Sequence, residues 1–247
     1  MHSKTANYGI DAPKVVRNLL VGGGLLFLSG IVLSVLGNRG VLPQLPFLAS
    51  PAASIGITCL LVGLTMLWGS MFGKIRLRDK IIDSLGLRGD EQVLDVGCGH
   101  GLMLIGAAKR LSNGGKAVGI DIWQQADQAN NSAAATMANA RTEAVTERIE
   151  LKDSDAREIP FADNSFDAVV SSFALHNIDE RRERDKALGE IVRVLKPGGK
   201  LAIADIRHAR EYALFFQQNG LTEIVMSRPY FLFVTPTYFI RAIKPLI

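Results

Sequence analysis

The apolar and polar positions divide the chain into two regions with different periods. Leu19 to Gly37 carry no charge, and as a helix rising 1.5 Å per residue this run would span about 28 Å, close to the thickness of a bilayer core. A second uncharged run, Phe47 to Gly73, is interrupted early by Pro51 and closes with Trp68 and Phe72. The pattern predicts an N-terminal segment, 1–73, with two transmembrane helices at about 19–37 and 47–73. The first run is too long for a signal-peptide core, and Leu36, Gly37, Asn38 and Arg39 offer no small-residue cleavage site, so both spans are expected to be retained. A helix pair buried in a soluble core is the alternative, but the rest of the chain already suffices for a complete domain. Gly22, Gly24, Gly30, Gly56 and Gly63 leave room for close approach, either of the two helices or of two copies of the protein.

From residue 74 the period changes. Ile75, Leu77, Ile81, Ile82 and Leu85 follow helical spacing, and the basic side of this helix is placed to lie along a bilayer. Short β-branched runs then alternate with helical ones. Strands are expected at Val93–Val96, Lys116–Ile120, Ile149–Lys152, Phe166–Ser172 and Leu201–Asp205, with a helix at about Leu102–Leu111 and another ending near Gly220. Leu221–Ser227 and Phe231–Ala242 form a final pair of strands. This alternation predicts an α/β domain over 74–247, a parallel sheet with helices on both faces. The aromatic stretch Pro229 to Ile240 reads as a buried strand rather than a lipid-binding lip.

Net charge is +4, but it is unevenly placed. Residues 1–80 carry +6 and the remainder −2, so the basicity belongs to the membrane segment. The predicted domain lacks the electrostatic footprint that nucleic acid requires, and no nucleic-acid partner is expected. Lys4, Lys14 and Arg17 precede the first span, Lys74, Arg76, Arg78 and Lys80 follow the second, and Arg39 alone lies between. By the positive-inside rule both termini and the domain face the cytoplasm. The juxtamembrane cluster either meets anionic lipid headgroups or only marks topology. Cys59 and Cys98 are not expected to pair, and His2, His100, His176 and His208 show no metal-ligand spacing, so no metal is expected.

The chemistry concentrates in Val93, Leu94, Asp95, Val96, Gly97, Cys98, Gly99, His100 and Gly101. These residues join a strand to a glycine turn that opens a helix, whose first amides favour an anion. Leu102 stands where a dinucleotide fingerprint needs its third glycine, which disfavours NAD. Asp95 would repel a pyrophosphate but can pair with an ammonium group or hold the loop, so an amino-acid-like ligand fits better. Asp121, about twenty residues on, can accept both ribose hydroxyls, or can cap the next helical segment. Asp153, Asp155 and Ala156 stand at the next strand end, where a carboxylate can take an adenine amino group.

With Phe166 to Ser172 followed by Phe173, Ala174, Leu175 and His176, and with Leu195, Lys196, Pro197, Gly198, Gly199 and Lys200 leading into Leu201–Asp205, these motifs resemble the class I S-adenosylmethionine-dependent methyltransferases. The resemblance covers roughly 74–247. It implies a Rossmann-like seven-stranded sheet, mostly parallel with an antiparallel last strand beside the fifth. It also implies S-adenosylmethionine as cofactor, held by Asp95, Gly97, Cys98, Gly99, Gly101, Asp121, Ile122, Asp155, Ala156 and Ser172.

Methyl transfer from a sulfonium proceeds largely by proximity and orientation, so a base is optional. If the acceptor must lose a proton, His176 is the candidate general base, because it follows the fourth strand and histidine titrates near neutral pH; its other reading is a hydrogen-bonded loop residue. Ser171, Ser172, Phe173 and Ala174 differ from the N-P-P-Y type of sequence used by relatives that methylate amino groups. The connections after strands four and five are too short for a substrate domain, and a membrane hairpin favours an amphiphilic acceptor. The domain looks like the branch that methylates small molecules, including quinone precursors, sterols and phospholipid headgroups. It also looks like membrane-anchored methyltransferases of small lipophilic thiols. A quinol-like or other lipid acceptor is the first expectation, with membrane lipids and further copies of the chain as partners. A cofactor fold kept as a non-catalytic membrane scaffold is the contrasting class.

Overall fold

A computed structural model describes residues 5–41, 46–124, 131–231 and 235–246. Lys4 and residues 232–234 of the expected strand 231–242 lie outside them. The described residues pack as two units, Ile10–Gly73 and an α/β unit formed by Lys74–Phe231 and the residues from Thr235 together with residues 5–9.

In the first unit α1 (Pro13–Asn38) and α2 (Pro46–Trp68) run antiparallel, followed by a π turn at Gly69–Gly73. Pro51, expected as an interruption, lies inside α2 as its sixth residue, where it removes one amide from the helical ladder without ending the helix. The helix pair is held by backbone approach. A Cβ on Gly56 would stand 2.5 Å from the Phe27 amide, one on Gly23 would stand 2.8 Å from Cys59 Cβ, and Gly30 faces the backbone of Ala49 and Ala53 equally closely. Gly63 meets Leu20. Of the glycines for which the sequence left two kinds of close approach open, Gly22 and Gly24 do not serve the α1–α2 contact and face open space, because helical geometry turns neighbours of Gly23 by about 100° away from the seam it occupies. The rest of the pair is apolar and outward: Val21, Leu25, Leu28, Val32, Ile55, Leu61 and Leu64 are all exposed. Both helices are long and apolar enough to cross a membrane, and only 11% and 17% of their most apolar windows are buried. A core helix of a soluble protein would bury most of such a window.

The α/β unit begins with α3 (Lys74–Ser84), which buries Leu77, Ile81 and Ile82. There follow β1 (Gln92–Val96), α4 (Leu102–Ala108), β2 (Lys116–Asp121), α5 (Ala133–Thr142), β3 (Ile149–Asp153), β4 (Phe166–Ser172), α6 (Arg181–Val194), β5 (Leu195–Asp205), α7 (Ala209–Gln218), β6 (Thr222–Met226), β7 (Tyr230–Phe231) and β8 (Pro236–Ile243). Seven strands form one sheet in the order β3-β2-β1-β4-β5-β8-β6. β1 to β5 are mutually parallel, and β8 enters antiparallel between β5 and β6. β1 and β4 are neighbours although an intervening pair of strands lies to one side, so the chain reverses direction across the sheet there. The carboxyl ends of these strands are where such sheets bind ligands. The L-K-P-G-G turn is a bulge inside β5: Phe166 pairs with Leu195 but Ala168 with Lys200, and Gly198 donates to the Lys244 carbonyl at 2.7 Å.

Two sequence expectations change. The basic side of α3 is not all directed outward, since Lys74 and Arg78 are 3% and 5% exposed. Residues 5–9 pack against them: Lys74 Nζ donates to the carbonyls of Tyr8 and Gly9 at 2.9 and 2.7 Å, and Arg78 lies over the Tyr8 ring. Burial leaves Arg76 and Lys80 as the exposed cations of that helix. The aromatic stretch is also not one buried strand. Thr237 and Ile240 are buried in β8, whereas Phe231, in the two-residue β7 that pairs only with the start of β8, is 66% exposed.

The glycine seam yields a prediction. Gly56→Leu forces overpacking against Phe27, worth about 1–3 kcal/mol, and is expected to lower the melting temperature of the detergent-solubilised chain by several degrees. Gly24→Leu should leave it within about one degree. Differential scanning fluorimetry compares the two.

Candidate functional site

The site grows from the tip of β1. Gly97, Gly99 and Gly101 all have positive φ, at 72°, 50° and 83°. Gly97 allows the tightest approach, because a Cβ there would sit 2.2 Å from that of Ala174 in the loop after β4. The loop is tied to β2: the amides of Gly97 and Cys98 donate to the Ile120 carbonyl at 2.9 and 3.0 Å, and that of Gly99 to Asp121 Oδ2 at 2.8 Å. From the other side α5 grips the loop's carbonyls. Thr136 Oγ1 donates to Gly99 at 2.5 Å, and Asn139 Nδ2 donates to His100 at 3.0 Å. Asn139 also exchanges two hydrogen bonds with the backbone of Asn7.

Of the two roles the sequence left open for Asp95, the structure shows the holding one. Its Oδ2 accepts the Leu104 amide at 2.8 Å and so caps α4 from the strand, while Oδ1 is buried with no hydrogen-bond partner. Burial, reinforced by the nearby Asp121 carboxylate, pushes the Asp95 carboxyl up to about 8. An acceptor atom left buried and unpaired costs about 1–3 kcal/mol, and a ligand ammonium would relieve it. This unpaired oxygen beside a glycine cradle fits the amino-acid end of S-adenosylmethionine.

Asp121, at the carboxyl end of β2, is 9% exposed. Its Oδ1 accepts from the Trp123 amide at 2.7 Å and from Asn131 Nδ2 at 3.2 Å, so the carboxylate shapes the turn after β2 as well as facing the loop. A ribose would share it with these donors. Ile122 beside it is half exposed. The two carboxylates after β3 are both engaged: Asp153 accepts the indole N–H of Trp123, and Asp155 pairs with Arg157, which holds its carboxyl below the usual range. Ala156 packs on the core. The Cys98 thiol is buried, and burial with the Asp95 and Asp121 carboxylates raises its pKa, so it stays protonated. Both cysteines are free. Among the described residues no group of three or more His, Cys, Asp and Glu is placed to hold a metal ion.

At the exit of β4, Ser172 is half-buried and Ser171 Oγ donates to the Val96 carbonyl at 2.7 Å, fastening β4 to β1. His176 follows in a single 3-10 turn, Leu175–Asn177. Its amide donates to Asp205 Oδ2 at 3.1 Å, and its Nδ1 lies 2.6 Å from Asp205 Oδ1 in an ion-pair approach rather than an aligned hydrogen bond. The glycine loop, Asp121 and His176 thus share one edge of the sheet, at the carboxyl ends of β1, β2 and β4. Sequence reading missed Trp123, Asn131, Thr136, Asn139 and Asp205. Only Asp205 had a signal, as a carboxylate ending a strand; the others act through contacts that no spacing encodes.

Residues 94–203 match the family described as "Methyltransferase domain". A demethylmenaquinone methyltransferase of Lactobacillus johnsonii is 34% identical over 129 residues, 52% of this chain and 49% of that protein. One from Staphylococcus aureus is 32% identical over 146 residues, 57% and 56% of the two chains. The chain therefore spans about half the length of the curated relatives it matches. A solved S-adenosylmethionine-dependent methyltransferase from Aquifex aeolicus superposes with a TM-score of 0.53 at 24% identity, covering 68% of this chain and 89% of that one, and shows the same fold.

The loop geometry sets two expected outcomes. Gly97→Ala places a Cβ into Ala174 at a left-handed position, and calorimetric titration is expected to show at least a tenfold loss of S-adenosylmethionine affinity. Asp95 ionises at about 4 in the unfolded chain but at about 8 when folded. Between those values the folded state holds the extra proton, so this residue's contribution makes stability fall as pH rises. Asp95→Asn should remove that decline, read as a smaller drop in melting temperature from pH 5 to pH 8 than in the unsubstituted chain.

The buried carboxyl beside a glycine cradle, the acidic end of β2 and the antiparallel β8 stand with the methyltransferase domain matched at 94–203, and in that match and in its fold the α/β unit is similar to the class I S-adenosylmethionine-dependent methyltransferases.

Proposed function

We propose that the chain is a membrane-anchored methyltransferase that carries a methyl group from S-adenosylmethionine to a small lipophilic acceptor of quinol type at the cytoplasmic membrane face. The observation that carries the lipophilic half of this reading is the outward apolar surface of α1 and α2. In water such a surface would be an aggregation liability, and in a bilayer it is satisfied. The matched demethylmenaquinone methyltransferases support the quinol class. Lys14 and Arg17 before and at the start of the apolar run of α1, with Arg76 and Lys80 exposed on α3, support an orientation with the domain on the cytoplasmic side.

Bound S-adenosylmethionine supplies an electrophilic methyl group. The glycine loop and the start of α4 receive its amino-acid end, with Asp95 Oδ1 as the ammonium partner. Asp121, with Ile122, and Asp155, with Ala156, are the residues for the ribose and the adenine. Cys98 and Ser172 complete the walls. His176, one strand along, is the group that takes a proton from the acceptor when the new bond forms. It is 16% exposed, so it retains access to solvent for returning that proton.

Incubating membranes that contain the full chain with methyl-labelled S-adenosylmethionine, followed by mass spectrometry of the lipid extract, is expected to show label in a quinone-class lipid. Label confined to water-soluble products, or to a lipophilic thiol, would overturn the acceptor assignment. Release of the chain by alkaline carbonate washing would overturn the anchor.

A further inference from the structure

The contacts of Asp205 exceed what a strand end needs. This last residue of β5 is 1% exposed, and its carboxylate accepts three donors: the His176 amide at 3.1 Å and the Tyr212 hydroxyl at 3.4 Å on Oδ2, and the Ile206 amide at 2.8 Å on Oδ1. The same Oδ1 lies 2.6 Å from His176 Nδ1. One carboxylate thus holds both the backbone and the ring of a single histidine. β5 and β4 are paired through Ala204 and Ser172, and the Phe173 amide donates to the Ala204 carbonyl, so the two strand ends that carry Asp205 and His176 are fixed to each other.

The surroundings keep this charge for the histidine. Arg184 on α6 is a competing cation nearby, but its guanidinium is engaged by Glu211 at 3.0 Å and by the carbonyls of Ile178 and Asp179. His208 also turns toward Glu211, at 3.5 Å. Burial and the Asp205 charge raise the Tyr212 hydroxyl far above its ordinary value, so it remains a donor. A buried carboxylate is costly unless a cation or strong donors meet it. Among the described residues the cation that meets Asp205 is the one that forms when His176 accepts a proton.

We propose that Asp205 is the positioning residue of the proton acceptor: it holds His176 with the proton on Nδ1, leaves Nε2 basic, and stabilises the imidazolium as the acceptor is methylated. This rests on the assignment of His176 made above. In the step itself the acceptor gives a proton to Nε2 and an electron pair to the methyl carbon, while the carbon–sulfur pair remains on sulfur. The positive charge therefore passes from sulfonium to imidazolium, next to Asp205. His176 then releases the proton to water. The off-axis contact between Nδ1 and Oδ1 is of the kind that tightens when a catalytic complex forms.

The test uses the full chain in detergent, with a total lipid extract as acceptor source and methyl-labelled S-adenosylmethionine. His176→Ala is expected to lower turnover by about 10² to 10⁴. Asp205→Asn should lower kcat by about 10²-fold with KM and calorimetric affinity for S-adenosylmethionine unchanged, and the double variant should be no slower than His176→Ala. Asp205→Glu, which keeps the charge, should retain more activity than the isosteric Asn; a purely structural role would rank them the other way and so guards against misfolding of one variant. Nitrogen-15 spectra of labelled histidine should show His176 with the proton on Nδ1 in the unsubstituted chain and its loss in Asp205→Asn. Multiplying losses in the double variant, an effect on KM alone, or an unchanged tautomer would overturn the proposal. If His176→Ala is as active as the unsubstituted chain while the cofactor still binds, the assignment of His176 fails; if it is inactive while Asp205→Asn is active, only the role of Asp205 fails.

Discussion

The carboxyl of Asp95 is the constraint on which the cofactor site depends. It stands near the end of a strand buried from Val93 onward, in the place where the sheet changes direction, and it binds the third amide of the helix that the same strand feeds. A helix start at this point would otherwise leave that amide unsatisfied in the interior. The side chain thus determines where α4 begins, and the start of α4 determines how tightly the loop from Gly97 to Gly101 must turn. What the strand cannot satisfy is the other oxygen, which is why the carboxyl favours its neutral form and why a cation is its natural complement.

The loop is held by elements that are distant in sequence, and the way it is held divides the labour between backbone and side chains. Its amides point toward the end of β2 and its carbonyls toward α5, so the loop has a fixed shape before any ligand arrives. Asn139 adds a less expected connection, since the same side chain that grips His100 also pairs with the backbone of Asn7. Residues ahead of the hairpin are thereby part of the α/β unit. Tyr8, Lys74 and Arg78 extend that contact, and two cations that composition alone would give to a lipid surface are used internally.

The hairpin obeys a different physics. Its helices carry almost no amphipathic signal, and their apolar side chains point outward, so packing between them depends on backbone proximity at glycine rather than on a hydrophobic interior. Gly23 and Gly56 face each other across the seam, while Gly30 meets Ala49 and Ala53 and Gly63 meets Leu20. Both units therefore rely on glycine for close approach, one to seat a ligand and the other to seat a helix.

Much of this architecture was legible in the residues. Alternating β-branched strands, the glycine turn after Val96, the acidic strand ends and the L-K-P-G-G turn are local signals, each set by the conformational preference of a few consecutive residues; they place the strands of a parallel sheet, and together they carry the resemblance that implies the cofactor. Two uncharged runs likewise mark the two long apolar helices. Tertiary structure decided what local signals cannot encode: which face of α1 meets α2, so that Gly23 rather than Gly22 or Gly24 lies in the seam; which of the cations of α3 stay exposed; how far the aromatic C-terminal stretch is buried; and that Asp205 meets His176. The physical reason is common to all four. Each depends on the distance between residues remote in sequence, and that distance is set by the summed packing of the sheet and its helices rather than by any preference the individual residues carry.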